Sequence, residues 1–209
     1  MIREKQKGTV RAAATGISWL AHPLFIPLCS VLFLIYGGTY LTFLPQSMKH
    51  FDLTLVFLNT ILIPLAFMHV LRRLGNISGY HLESRRERLL PVALYTLLLL
   101  ITWLLLRRIK QPLILTDLFL ALTVTSALSW ALTLRWKISL HLTGLGAFSA
   151  LLLATALRLS HTFIIFWLLS LLLAGTVATA RLLLGQHTPA EIYSAFFLSF
   201  TTTLLIMIF

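Results

Sequence analysis

The chain has 209 residues, of which 58% are hydrophobic and 11% charged, against roughly 25% charged residues in a soluble domain. Those proportions exclude a water-soluble globule and place the chain in a membrane. The formal net charge of +11 does not point to nucleic acid, because almost every Lys and Arg stands at the end of an apolar run. Topology and anionic headgroups account for that placement.

Uncharged runs of roughly 16–20 residues recur, each long enough for a helix to cross the hydrocarbon layer. They are continuous and Leu-rich, unlike the short alternating segments of a barrel. The expected fold is therefore an all-α polytopic bundle. Its seven spans fall at about residues 17–39, 52–71, 89–106, 113–134, 140–157, 162–183 and 190–209. A basic amino tail, 1–16, precedes a single transmembrane domain, 17–209. Pro23 and Pro27 fall inside the first span as kinks, which membrane helices tolerate. That first run is too long for a removable signal peptide and lacks its small-residue cleavage pattern. The single cysteine, Cys29, excludes an intramolecular disulfide and a cysteine-based metal cluster.

Polar residues gather in three loops: Arg72 to Pro91 ("RRLGNISGYHLESRRERLLP"), Arg135 to Gly144 ("RWKISLHLTG"), and the stretch from Arg181 to Glu191 ("RLLLGQHTPAE"). A chain crossing a bilayer alternates faces, so these loops, between spans two and three, four and five, and six and seven, emerge on one side. The intervening loops, around Lys49, Arg107 to Lys110, and Arg158 to His161, carry no comparable set. This parity predicts one composite site.

Within the set, Gly185 is placed to end span six, with Arg181 one turn below the surface. His187 then precedes the start of span seven, with Glu191 one turn onward, where a carboxylate can fix the imidazole tautomer. Thr188, Pro189 and Glu191 also spell a capping box, on which reading Glu191 only starts the helix. Ser139 is a natural N-cap for span five, with His141 in its first turn. Backbone N–H groups at that helix start, with Lys137 and Gly144 nearby, suit an anion. Arg85, Arg86 and Arg88 add forked donors matched to phosphate oxygens. Two histidines, a carboxylate and several guanidiniums on one membrane face point to phosphoryl chemistry on a lipid.

The same residues resemble the signatures of the type 2 phosphatidic acid phosphatase superfamily, especially its small multi-span bacterial members. Arg181, His187 and Glu191 keep the spacing of the third signature, with Ala180 where that family has Ser and Glu191 where it has Asp. Ser139-Leu140-His141 is similar to the second, with Ile138 and Leu140 in place of Pro and Gly. "SRRERLLP" stands where the first would be. Strict spacing there puts Glu83 and Leu90 at the family's Lys and Arg, so either Arg85 and Arg88, or Lys137 and Arg135, supply the missing cations. The resemblance covers residues 80–195. It implies His187 as nucleophile through a phosphohistidine, Glu191 as its orienting carboxylate, and His141 as proton donor to the leaving lipid oxygen. It implies Arg181 and Ser139 as phosphate ligands, with no metal or other cofactor. The implied substrate is a phospholipid or polyprenyl phosphate, and the implied location the bacterial inner membrane.

Two other readings compete. A non-catalytic protein that binds or moves an anionic lipid would use the arginines but not a His–Glu pair. A proton-coupled transporter would need ionisable groups at mid-membrane, where only His22 and His69 stand, without a carboxylate partner in sequence. By the positive-inside rule, the amino tail and the three polar loops hold twelve Lys and Arg against five on the other face. That difference places the site in the cytoplasm, whereas many bacterial relatives of the family work on the outer face.

Overall fold

The computed structural model describes residues 2–80 and 84–209, with side chains from residue 10 onward. All regular structure among them is helical. Nine α-helices form: α1 (Ile2–Leu20), α2 (Ile26–Tyr36), α3 (Gln46–Phe57), α4 (Ile63–Arg73), α5 (Arg85–Arg108), α6 (Leu113–Thr133), α7 (Leu140–Arg158), α8 (Ile164–Leu183) and α9 (Pro189–Ile208). They make up seven segments long and apolar enough to cross a bilayer. The first joins α1 to α2 and the second joins α3 to α4. The seven-span expectation holds, with the first segment opening at Val10 and the second at Gln46.

The first two spans are interrupted rather than smooth. Between α1 and α2 the chain makes a 3-10 turn at Pro23–Phe25, with His22 as its N-cap. Pro23 lacks an N–H to extend α1, and the His22 Nδ1 instead accepts the Leu24 N–H at 3.4 Å. Between α3 and α4 lies a π-turn, Leu58–Leu62, just before Pro64. There Asn59 Nδ2 donates to Thr102 Oγ1 at 2.9 Å, tying the second span to α5.

Two of the polar loops open in the same way. After α4, Gly75 has φ +75, and after α8, Gly185 has φ +67. These are left-handed conformations that a Cβ resists. In each, the next residue's N–H reaches back across the turn, from Asn76 to Leu71 O at 2.9 Å and from Gln186 to Arg181 O at 3.2 Å. Both helices thus stop one residue short of the glycine and turn sharply, delivering Gln186 and His187 to the bundle end.

The centre of the bundle is α7, packed against α9, α8, α6 and α2. Small residues on α7 allow this: Gly146, Ala147, Ser149, Ala150 and Ala154 are all buried. In lipid, helices associate by close van der Waals packing of such residues. The tightest approach is at Gly146, where an added Cβ would lie 2.5 Å from the Phe196 carbonyl oxygen of α9.

Gly146→Ala is expected to force α7 and α9 apart and lower the thermal unfolding midpoint, at a cost of about 1–3 kcal/mol from overpacking. Gly175→Ala, where a Cβ meets open space, serves as control. Equal midpoints for the two variants would refute the close crossing.

Candidate active site

The clearest local geometry is at the start of α9. Thr188 is the N-cap and the capping box is complete, Thr188 Oγ1 accepting from the Glu191 N–H. Glu191 Oε2 accepts the Thr188 N–H at 3.1 Å and lies 2.9 Å from His187 Nδ1. The sequence left capping and histidine orientation as alternatives. One carboxylate oxygen does both. An ionised carboxylate only accepts, so Nδ1 carries the proton and Nε2 of His187 presents a lone pair.

His187 is 7% exposed and lines a cavity of about 490 Å³. The same cavity is lined by Arg88, His141, Arg181 and Gln186, so three loops separated in sequence do converge. Arg88 and Arg181 are 4% and 5% exposed. Arg88 Nη1 donates to the Ile138 carbonyl at 3.0 Å, which holds the start of α5 to the loop before α7. Arg181 is hydrogen-bonded through Nη2 to Gln186 Oε1. Its Nε is buried and has no hydrogen-bond partner among the described residues. A buried donor left unmade is costly and suits an anion in the cavity.

His141 sits in the first turn of α7, as expected, but its partner is unexpected. Its Nε2 lies 3.1 Å from the Ser18 carbonyl oxygen near the C-terminal end of α1. A carbonyl only accepts, so Nε2–H donates and Nδ1 is the nitrogen left for chemistry. The ring of His22 meets that of His141 edge to face, with centroids 5.6 Å apart, and His22 also lines the cavity.

Several expected residues fall outside. Arg85 and Arg86 are exposed at the start of α5 and do not line the cavity. Helical geometry turns Arg86 to the other side of α5 from Arg88, whereas Arg85 shares the side of Arg88 but stands one turn further out, at the exposed first residue of the helix. Lys137 is half-buried and Arg135 exposed, and neither lines the cavity. Leu90 is exposed, and Glu83 lies outside the described residues. Ser139 is fully buried at the N-cap position of α7, yet its hydroxyl makes no capping bond and has no partner among the described residues. Its N–H is directed instead to the Glu191 carbonyl at 3.4 Å. Ser139 therefore fastens α7 to α9 rather than lining the cavity.

Sequence reasoning missed His22, assigned to mid-span because residues 17–39 read as one helix. Its signal was its place just before Pro23. The other mid-span candidate, His69, is at the exposed end of α4, with Nδ1 3.1 Å from the Tyr80 hydroxyl and Nε2 accepting from Arg73 at 3.2 Å. Gln186, which holds Arg181, was also overlooked.

No protein-family model matches the chain, and no curated protein or solved structure is significantly similar to it.

Burial pushes the His187 imidazolium well below its ordinary pKa, and the nearby Arg88 and Arg181 guanidiniums push it the same way, against the opposing pull of Glu191. Neutral in the fold and protonated when unfolded, the ring makes the protein less stable as pH falls from about 6.5 towards the folded value. In ¹⁵N-histidine NMR of the protein in lipid, His187 is expected to stay neutral well below pH ~6.5. Glu191→Gln should lower its midpoint further and Arg181→Gln raise it. A midpoint at the ordinary value, indifferent to both variants, would dismantle this electrostatic picture.

Proposed function

We propose that the chain is an integral membrane phosphatase acting on a lipid phosphate or isoprenoid diphosphate through a phosphohistidine, as the type 2 phosphatidic acid phosphatases do. The observation that carries this reading is the His187–Glu191 pair at 2.9 Å, opening onto a cavity shared with His141, Arg88 and Arg181.

The proposed steps use the residues around the cavity. His187 Nε2 attacks phosphorus while the bond from phosphorus to the lipid oxygen breaks. In the phosphate complex, where the bound anion offsets the neighbouring guanidiniums, His141 takes a proton from the phosphate monoanion on Nδ1, gives it to the departing oxygen and keeps its Nε2–H on Ser18. Glu191 balances the charge that builds on the His187 ring. Water, deprotonated by the now neutral His141, then attacks the phosphohistidine and frees inorganic phosphate and His187. Arg88 and Arg181 hold the phosphoryl oxygens, fixed cations being the main contribution to such a transfer. On this reading the charge of the transferring group falls to the two arginines.

His187→Ala is expected to abolish phosphate release across a panel of single-chain alkyl phosphates, phosphatidic acid, phosphatidylglycerophosphate, undecaprenyl diphosphate and lipid A species, together with any acid-labile phosphoryl label on the protein. His141→Ala should lose about 100-fold or more in turnover. Glu191→Gln can keep both hydrogen bonds but not the charge and should lose about tenfold. Activity should survive chelation. Release within about threefold of wild type for His187→Ala, a change of under ~1 kcal/mol in barrier, would end the covalent mechanism. Lipid binding without any release would favour a carrier of anionic lipid.

The reading places the site in the cytoplasm, supported by the twelve Lys and Arg of the amino tail and polar loops against five opposite. With Cys29 replaced by Ser, single cysteines at the exposed Ser78 and His161 report on the two faces. In intact cells an impermeant thiol reagent should label His161→Cys and spare Ser78→Cys. The reverse pattern inverts the orientation, and labelling of both breaks the seven-span topology.

A further inference from the structure

The cavity does not end at the phosphate-binding groups. On α5 one face continues inward from Arg88 through Val92, Tyr95 and Leu99, all lining the cavity. Leu99 lies eleven residues beyond Arg88, about 16 Å along the helix. Two other elements give the same floor. Leu122 of α6 lines the cavity eleven residues in from Thr133, and Ile61 lines it twelve residues in from Arg73, again about 16–18 Å from the site-bearing ends. The lower wall is Ala147 of α7, whose lack of bulk leaves the space open. The cavity is therefore polar at one end and mainly apolar where it reaches halfway into the bundle, with Tyr95, Thr125 and Ser126 as the polar residues of its deeper wall. Its rim includes Phe25 and Leu65, 39% and 44% exposed to the lipid side, which gives a chain a route in from the bilayer.

We infer that the site takes a lipid phosphate with a single chain, drawn down between the spans rather than left in the bilayer. The inference rests on reading the polar end as the phosphate site. The depth and the volume of this cavity both suit one chain. A staggered carbon chain advances about 1.3 Å per bond, so a depth of about 16 Å takes roughly a dozen carbons. The volume of about 490 Å³, at about 30 Å³ for each methylene-sized group, holds roughly sixteen such groups. That is one dozen-carbon chain with its phosphate. A second chain of that length would overfill the pocket, and a much longer prenyl chain would not end within it. Leu99 and Leu122 set the length, and Ala147 sets the width.

The test uses the intact protein and non-hydrolysable ligands. Single-chain alkylphosphonates from octyl to octadecyl, and a two-chain phosphonate analogue of phosphatidic acid, compete for the protein, and native mass spectrometry reads which is bound. Occupancy in competition should rise with each added carbon that gains packing contacts in the pocket and stop rising near dodecyl. Leu99→Ala should move the break to longer chains and Ala147→Leu to shorter ones. These opposite shifts cannot both come from misfolding. The two-chain analogue should compete poorly. Occupancy that climbs through octadecyl unaffected by either variant, or a two-chain analogue that binds as well as dodecyl, would overturn the inference. Phosphate release from dodecyl phosphate is scored separately. Binding with the expected break but no release upholds the chain pocket and removes the hydrolase reading.

Discussion

The site depends on one carboxylate oxygen. Glu191 Oε2 accepts from the Thr188 backbone, which starts α9, and from His187, which fixes the ring. The helix start and the histidine orientation are one constraint, so the imidazole is positioned by the most rigid feature available, a capped N-terminus. The Ser139 N–H, directed to the Glu191 carbonyl, brings the first turn of α7 to the same point, and with it His141. Further along the same seam, Gly146 admits the α9 backbone. Without that close approach, α7 and α9 would diverge and the two histidines would separate.

Against this frame two guanidiniums are buried within a membrane protein. Placing charge there is expensive unless it is paired. Arg88 donates to the Ile138 carbonyl and Arg181 to Gln186, bonds that fix where the two guanidiniums stand. The result is a pair of guanidiniums held in place at the cavity wall. They help to keep the His187 ring unprotonated, which leaves a lone pair on Nε2.

The broken first span completes the enclosure. Because the helix stops before Pro23, the last turn of α1 turns its carbonyls toward the cavity instead of continuing through the membrane. Ser18 meets His141, and His22 stacks edge-on against the same ring. α1 thus roofs the cavity and fixes the orientation of the His141 ring. The lower cavity owes its depth to small and kinked positions, Ala147 on α7 and the π-turn before Pro64.

The sequence by itself determined the helical class, seven spans, the loop parity and the spacing of Arg181, His187 and Glu191. Each rests on short-range chemistry: hydropathy over one helix length, alternation of faces, capping residues and a left-handed glycine. It could not rank the cations. Arg85, Arg86, Arg88 and Lys137 are equivalent as charges along a chain, and only the facing of α5 and its packing on the loop before α7 put Arg88 inside and leave the others out. Nor could it give Ser139 its role, since an N-cap residue in sequence becomes a strut only when α9 is beside it. The place of His22 was open for a related reason: Pro23 marks a break in the run, but the partner of His22, His141, is 119 residues away in sequence. The tertiary structure decided these points because they depend on which faces of distant helices meet, a property of packing that no local pattern encodes.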